Sequence, residues 1–253
     1  MTFTVEKNIW YGIGKNPTPY QLERCRLDLY RPDGEVKAWL LWLHGGGLTG
    51  GEKESCAHLA AWLAEAGFGV ALANYRLSPV VKYPAYLQDA LEAFEWLHRY
   101  LEWRSEYNDH IFVGGHSAGA YLAAMMALMP SHWQKHVGGA LPLSGQMITH
   151  FTVRAERGIS ENQVVVDGGA PLFYTGEEAP PFCVMVSTDD LPGRLEENAY
   201  FAAMMKVAGH SQTEFHTFSN RDHGSICDLF GTPGDAVCGV MLEFLKRHRV
   251  IEP

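Results

Sequence analysis

The sequence predicts an α/β protein, with a mostly parallel central sheet covered by helices on both faces. Three observations predict it. Apolar strand-like runs alternate with helical patterns along the chain, the signature of parallel strands joined by crossovers. The 253 residues are 47% apolar, enough for a large core. The apolar run 111–113 ends in a glycine-flanked turn and passes at once into a helical pattern. One unit over 1–253 is expected. Within it, 1–35 forms an N-terminal segment with edge strands. The irregular stretch 145–179 has the size of a surface excursion or small lid over a pocket.

The elements follow in order. Arg26 to Arg31 alternates at period two and ends at Pro32-Asp33-Gly34, which reads as an edge strand or hairpin arm. Val36 to Leu43 is a buried strand. Ala57 to Ala66 is helical and closed by Gly67, and Gly69 to Ala73 is the next strand. Pro84 to Tyr100 is an amphipathic helix with proline at its start. Its Leu87, Ala90, Leu91, Phe94 and Leu97 recur at threes and fours. Ile111 to Val113 is a strand. Ala118 to Leu128 is a helix apolar nearly all round, hence buried, and Pro130 stops it. Gly139 to Leu143 and Phe182 to Val186 are strands. Leu195 to Ala208 is helical, Glu214 to Phe218 alternates as a strand, and Asp235 to Arg247 closes the chain as a helix. There is no internal repeat or low-complexity tract.

Composition excludes several function classes. A formal charge of −9 with no basic stripe argues against nucleic acid and anionic membrane surfaces. The five cysteines, Cys25, Cys56, Cys183, Cys227 and Cys238, contain no C-x-x-C pair, so neither a disulfide framework nor a structural zinc site is expected. Reduced thiols suit a cytoplasmic protein. The first residues lack a basic region followed by an apolar stretch, so no signal peptide is expected, and no apolar run reaches the length of a membrane span.

The chemistry begins at Gly115-His116-Ser117-Ala118-Gly119. A strand that ends in G-x-S-x-G and becomes a helix leaves the serine projecting at the helix N-terminus, where backbone potential favours developing negative charge. Serine alone is a poor nucleophile. It needs a base, a carboxylate to orient that base, and donors for an oxyanion. His44-Gly45-Gly46-Gly47, at the end of the strand 36–43, lets backbone N–H groups approach a substrate oxygen. Gly45 and Gly46 are the candidate donors, with the N–H of Ala118 as the further one. A phosphate cradle is disfavoured, since no G-K-[ST] or G-x-G-x-x-G follows. His223 is the candidate base, because its loop follows the last strand. His210 follows a helix end, His216 sits mid-strand, and His116 is expected to pack within its own turn. The acid comes from Ser187-Thr188-Asp189-Asp190. Asp190, one step further into the loop, is favoured, and Asp189 stays the alternative acid. Asp222 reads as a solvated loop charge.

The order Ser117, Asp190, His223 resembles that of the α/β-hydrolase superfamily, in particular its H-G-G-G esterase and lipase branch (hormone-sensitive-lipase-like enzymes and small bacterial carboxylesterases). Leu43 to Gly47, Asn74 to Pro79, Gly115 to Gly119, Ala179-Pro180-Pro181 and Asp222-His223-Gly224 carry the likeness, from about residue 25 onward. The acid loop lacks a clean G-x-x-D, which leaves the acid open between two aspartates. The resemblance implies hydrolysis of carboxylic esters through an acyl-enzyme, with no metal or cofactor. An arylformamidase-like amide or formamide hydrolase is the alternative, and a non-catalytic hydrolase-fold binding protein a lesser one. With only about 35 residues before the first central strand, any lid is small. Short acyl or acetyl esters are therefore the expected small-molecule partners. Trp10, Tyr11, Tyr20, Phe151 and Phe173 are candidate apolar walls. The closing helix and the edge strand each offer a surface for a homo-oligomer.

Overall fold

The computed structural model describes residues 2–14, 16–105 and 111–249; the rest of 1–253 lies outside the described residues. The strands are β1 (Phe3–Trp10), β2 (Arg26–Pro32), β3 (Trp39–Leu43), β4 (Gly69–Ala73), β5 (Ile111–His116), β6 (Val137–Leu143), β7 (Phe182–Asp189) and β8 (Thr213–Asp222). The helices are α1 (Pro19–Arg24), α2 (Ala57–Glu65), α3 (Ala85–Trp103), α4 (Ala118–Leu128), α5 (Phe151–Glu156), α6 (Arg194–Val207), α7 (Ser225–Asp228) and α8 (Ala236–His248). They build one eight-stranded sheet in the order β1-β2-β4-β3-β5-β6-β7-β8. The first two pairings, β1 with β2 and β2 with β4, are antiparallel, and all from β4 to β8 are parallel.

Two expectations change. The run from Arg26 to Arg31 is not an edge: β2 lies between β1 and β4, and the edge passes to β1. Edge strands were expected within 1–35, but without bounds for β1, because all of its residues are half or fully exposed and it has no continuous apolar face. The strand expected over 36–43 ladders only from Trp39 to Leu43. Before it, the Lys37 amide bonds Gly67 O (3.0 Å) in the turn that enters β4.

The pleat divides the core. Trp39, Leu41 and Leu43 face the layer that holds α3, α4 and α6, with Phe94, Leu122 and Phe201. Leu40 and Trp42 face the layer of α2 and α8, with Leu59, Leu63, Met241 and Phe244. Every residue of α4 is buried, since α4 packs on β3, β5 and β6 and against α3 and the segment Pro171–Tyr174. The described cysteines are all free and buried. No helix among the described residues is long and apolar enough to cross a membrane. The parallel strands β3, β5, β7 and β8 end at one edge, at His44, Ser117, Asp190 and His223.

Candidate active site

The turn from β5 into α4 is possible only with glycine on both sides. A Cβ on Gly115 would stand 2.4 Å from the Gly119 carbonyl carbon, and one on Gly119 would stand 2.0 Å from Leu43 O. Ser117 takes φ +54°, a conformation that costs a non-glycine residue energy and that the packed strand and helix impose. Its amide is held by Leu143 O of β6 at 2.9 Å.

Three side chains converge there from distant positions. His223 Nε2 lies 2.8 Å from Ser117 Oγ, and His223 Nδ1 lies 2.6 Å from Asp190 Oδ1. The carboxylate accepts from Nδ1–H, so the network assigns Nε2 the free lone pair that faces the serine hydroxyl. The Asp190 side chain is only 1% exposed. Burial alone would raise its pKa, but bonds from His223, Ser144 and the Leu191 amide outweigh that and hold it below the ordinary carboxylate range. Asp189 is the last residue of β7, solvent-exposed, and pairs across the ladder with Asp222. Asp222 caps its own turn, accepting from the amides of Gly224 (3.1 Å) and Ser225 (2.7 Å). His210 is bound between Thr213 Oγ1 (2.7 Å) and Ala179 O (2.8 Å). His216 contacts Glu214 in mid-strand.

Two contributors are absent from the sequence reading. Ser144 Oγ donates to Asp190 Oδ2 at 2.5 Å, and Arg194 Nη1 donates to Ser144 O at 3.0 Å. A small polar residue directly after the apolar β6, beside the β5 turn, was the available signal. His116 does not only pack within its turn: its Nε2 donates to His223 O at 2.7 Å, with the two rings 4.9 Å apart.

The glycine loop after β3 lies against the serine. A Cβ on Gly45 would stand 3.4 Å from Ser117 Cβ and 3.1 Å from His116 Nδ1. Gly46, at φ +114°, leaves no room for a side chain, since a Cβ would meet Gly50 O at 2.2 Å. Ala118 opens α4. Beneath the loop, His44 is fully buried and stacks on Tyr75 with ring centroids 4.3 Å apart. Its Nδ1–H donates to Gly45 O (2.6 Å), and its Nε2 accepts from Arg24 Nη2 (3.4 Å). Burial, opposed by the Gly45 carbonyl and reinforced by the Arg24 charge, pushes the His44 pKa down to about 4.

The stretch 145–179 is pinned over this loop. Thr152 Oγ1 donates to Gly47 O (2.5 Å), Gln146 Oε1 accepts from the Phe151 amide (2.9 Å), and Tyr121 Oη donates to Gly169 O (2.8 Å). The Phe151 ring reaches within 3.0 Å of a Cβ placed on Gly47. The other wall candidates lie differently. Tyr11 is a core residue that donates to Asn74 O (2.6 Å), Tyr20 Oη takes the Leu77 amide (3.2 Å), Trp10 lies in β1, and Phe173 is exposed.

A family model described as alpha/beta hydrolase fold matches residues 40–167, half of the chain. Esterase LipQ of Mycobacterium tuberculosis is 26% identical over 226 residues, covering 78% of this chain and 53% of its own. Kynurenine formamidase avaC of Aspergillus versicolor is 29% identical over 143 residues, covering 47% of this chain and 46% of its own. The chain thus spans about half the length of these two relatives. The apo form of Thermogutta terrifontis esterase 2 superposes with a TM-score of 0.76 at 22% identity, covering 99% of this chain and 96% of that one. At that identity the likeness speaks for the fold alone.

Proposed function

The chain belongs to the alpha/beta hydrolase fold family, and from that premise we propose that it is a serine hydrolase that cleaves carboxylic esters with short acyl groups. The observation that carries the proposal is the continuous relay from Ser117 Oγ to His223 (2.8 Å) to Asp190 (2.6 Å). Ser117 attacks the ester carbonyl while His223 Nε2 takes its proton. Asp190 holds the imidazole in the required tautomer and stabilises the imidazolium. Backbone N–H groups of Gly45, Gly46 and Ala118 receive the oxyanion. His223 then protonates the leaving alcohol and, in the second half, activates water against the acyl-enzyme.

The short acyl preference rests on the seating of Phe151 beside the glycine loop, on a segment tied to it through Thr152. The esterase named among the relatives supports ester chemistry. A formamide substrate is the second reading, favoured by the formamidase among them. The test is hydrolysis of p-nitrophenyl acetate, butyrate and decanoate by wild type and Ser117→Ala, beside an N-formyl arylamine. Ester turnover that falls with chain length and drops about 10⁵-fold or more in the variant supports the proposal. Wild-type turnover of the formamide alone transfers it to the second reading, and full activity in the variant overturns both.

A further inference from the structure

The edge of the sheet opposite β1 carries a group of donors that the ester chemistry does not use. Cys183 of β7 and Glu214 of β8 are direct register partners, and His216 follows Glu214 by two residues, on the same face of the sheet. The ligating atoms of Cys183, Glu214 and His216 all lie within 4.8 Å of one another. Cys183 is fully buried, while the Glu214 and His216 side chains are 23% and 34% exposed, which leaves an approach from solvent. His216 Nε2 lies 3.0 Å from Glu214 Oε2. The other oxygen, Oε1, belongs to α8: Arg247 Nη1 is 2.8 Å away and His248 Nε2 4.0 Å away. A cavity of about 650 Å³, lined in part by Gln212, Arg247 and His248, opens beside this end of β8.

We propose that Cys183 Sγ, Glu214 Oε2 and His216 Nε2 form a binding site for one zinc-class divalent cation, with a water as the fourth ligand. A thiolate, an imidazole and a carboxylate suit a borderline-soft tetrahedral ion and are a poor set for magnesium or calcium, which take oxygen ligands. On binding, the Cys183 S–H bond breaks as the sulfur–metal bond forms, and the proton leaves to solvent. The thiolate and the carboxylate then bring two negative charges to the two positive charges of the ion, and the Arg247 guanidinium, half exposed to solvent, leaves the cluster one positive charge in excess. Arg247 keeps Oε1 and so orients the carboxylate from outside the coordination sphere. Strand register, rather than a loop, preassembles the donors.

His216 and His223 stand seven residues apart on and just beyond β8, roughly 20 Å along an extended strand. The ion therefore acts on stability and not on the ester chemistry. It staples edge strand β8 to β7 and, through the Arg247 contact with Glu214 Oε1, to α8.

The experiment starts from the full chain stripped of metal by a chelator and dialysed. Zinc is titrated by calorimetry and with a thermal melt, and cadmium is followed by the ultraviolet charge-transfer band of a cadmium–thiolate bond. The expected result is one equivalent bound, the band present, and Tm raised by about 5–10 °C with zinc at a hundredfold excess over Kd. Cys183→Ser and His216→Gln should lose the band and the Tm rise while hydrolysing p-nitrophenyl acetate as wild type does. His216→Gln changes a partly exposed residue, so it serves even if Cys183→Ser does not fold. Absence of the band in wild type, or an equal Tm rise in His216→Gln, overturns the proposal.

Discussion

Ser144 Oγ donates a 2.5 Å hydrogen bond to Asp190 Oδ2, so the carboxylate meets His223 with its other oxygen already aligned. Ser144 is fully buried at the end of β6, and its own carbonyl is anchored by Arg194. Removal of a hydrogen bond to a buried charged group costs about 1.5–3 kcal/mol. Ser144→Ala should therefore lower kcat for p-nitrophenyl butyrate about 10- to 100-fold while KM changes little. Steady-state kinetics decides it, and a KM effect with unchanged kcat would place Ser144 outside the relay.

The two adjacent aspartates should separate sharply. Asp190→Asn keeps the shape but reverses the hydrogen bonding offered to His223 Nδ1, and kcat should fall about 10⁴-fold. Asp189→Asn alters an exposed strand end and should leave turnover near wild type. Comparable losses in both variants would contradict the assignment.

The buried His44 makes stability depend on pH with a defined sign. Its folded pKa is about 4, below the ordinary 6.5, so between those values the unfolded chain binds a proton that the folded one refuses. The His44 contribution is full above pH 6.5 and is lost as pH drops toward 4, by an amount on the order of 3 kcal/mol, in the same direction as that of the buried His116 and His150. A proton on Nε2 would face the Arg24 guanidinium, which now donates to it from 3.4 Å. Denaturant unfolding from pH 7 to pH 4 should show this decline. His44→Asn should be less stable at pH 7 and show a shallower slope. A slope identical to wild type would remove His44 as its source.

Phe151 should limit the acyl chain. It sits where α5 meets the glycine loop, within 3.0 Å of a Cβ placed on Gly47. Phe151→Ala should raise the ratio of kcat/KM for decanoate over acetate about tenfold. An unchanged ratio would move the acyl group to another wall.

Much of the fold was legible because the signals were local. The helix Ala118–Leu128 has the bounds that its apolar run and Pro130 announce. Gly69–Ala73 is equally bounded by its glycine and its apolar run. The bounds of β1 within the 1–35 segment were not legible, since an exposed strand stabilised by pairing with β2 has no period of its own. The same holds for β2, where alternation showed a strand but nothing in it told an edge from an interior position.

The sequence by itself determined what neighbouring residues can decide: a strand that turns into a helix between Gly115 and Gly119, a glycine loop after β3, and the alternation that makes the sheet mostly parallel. Only the tertiary structure decided which distant groups meet. Ser144 and Asp190 lie 46 residues apart, and His116 and His223 lie 107 apart. Between the aspartates, one step along the chain leads from an exposed strand end to a buried carboxylate, because Asp190, just past β7, turns inward to bond with Ser144 and His223. Such contacts depend on strand order and register, which arise from burial of both sheet faces at once and leave no mark in any short stretch of chain.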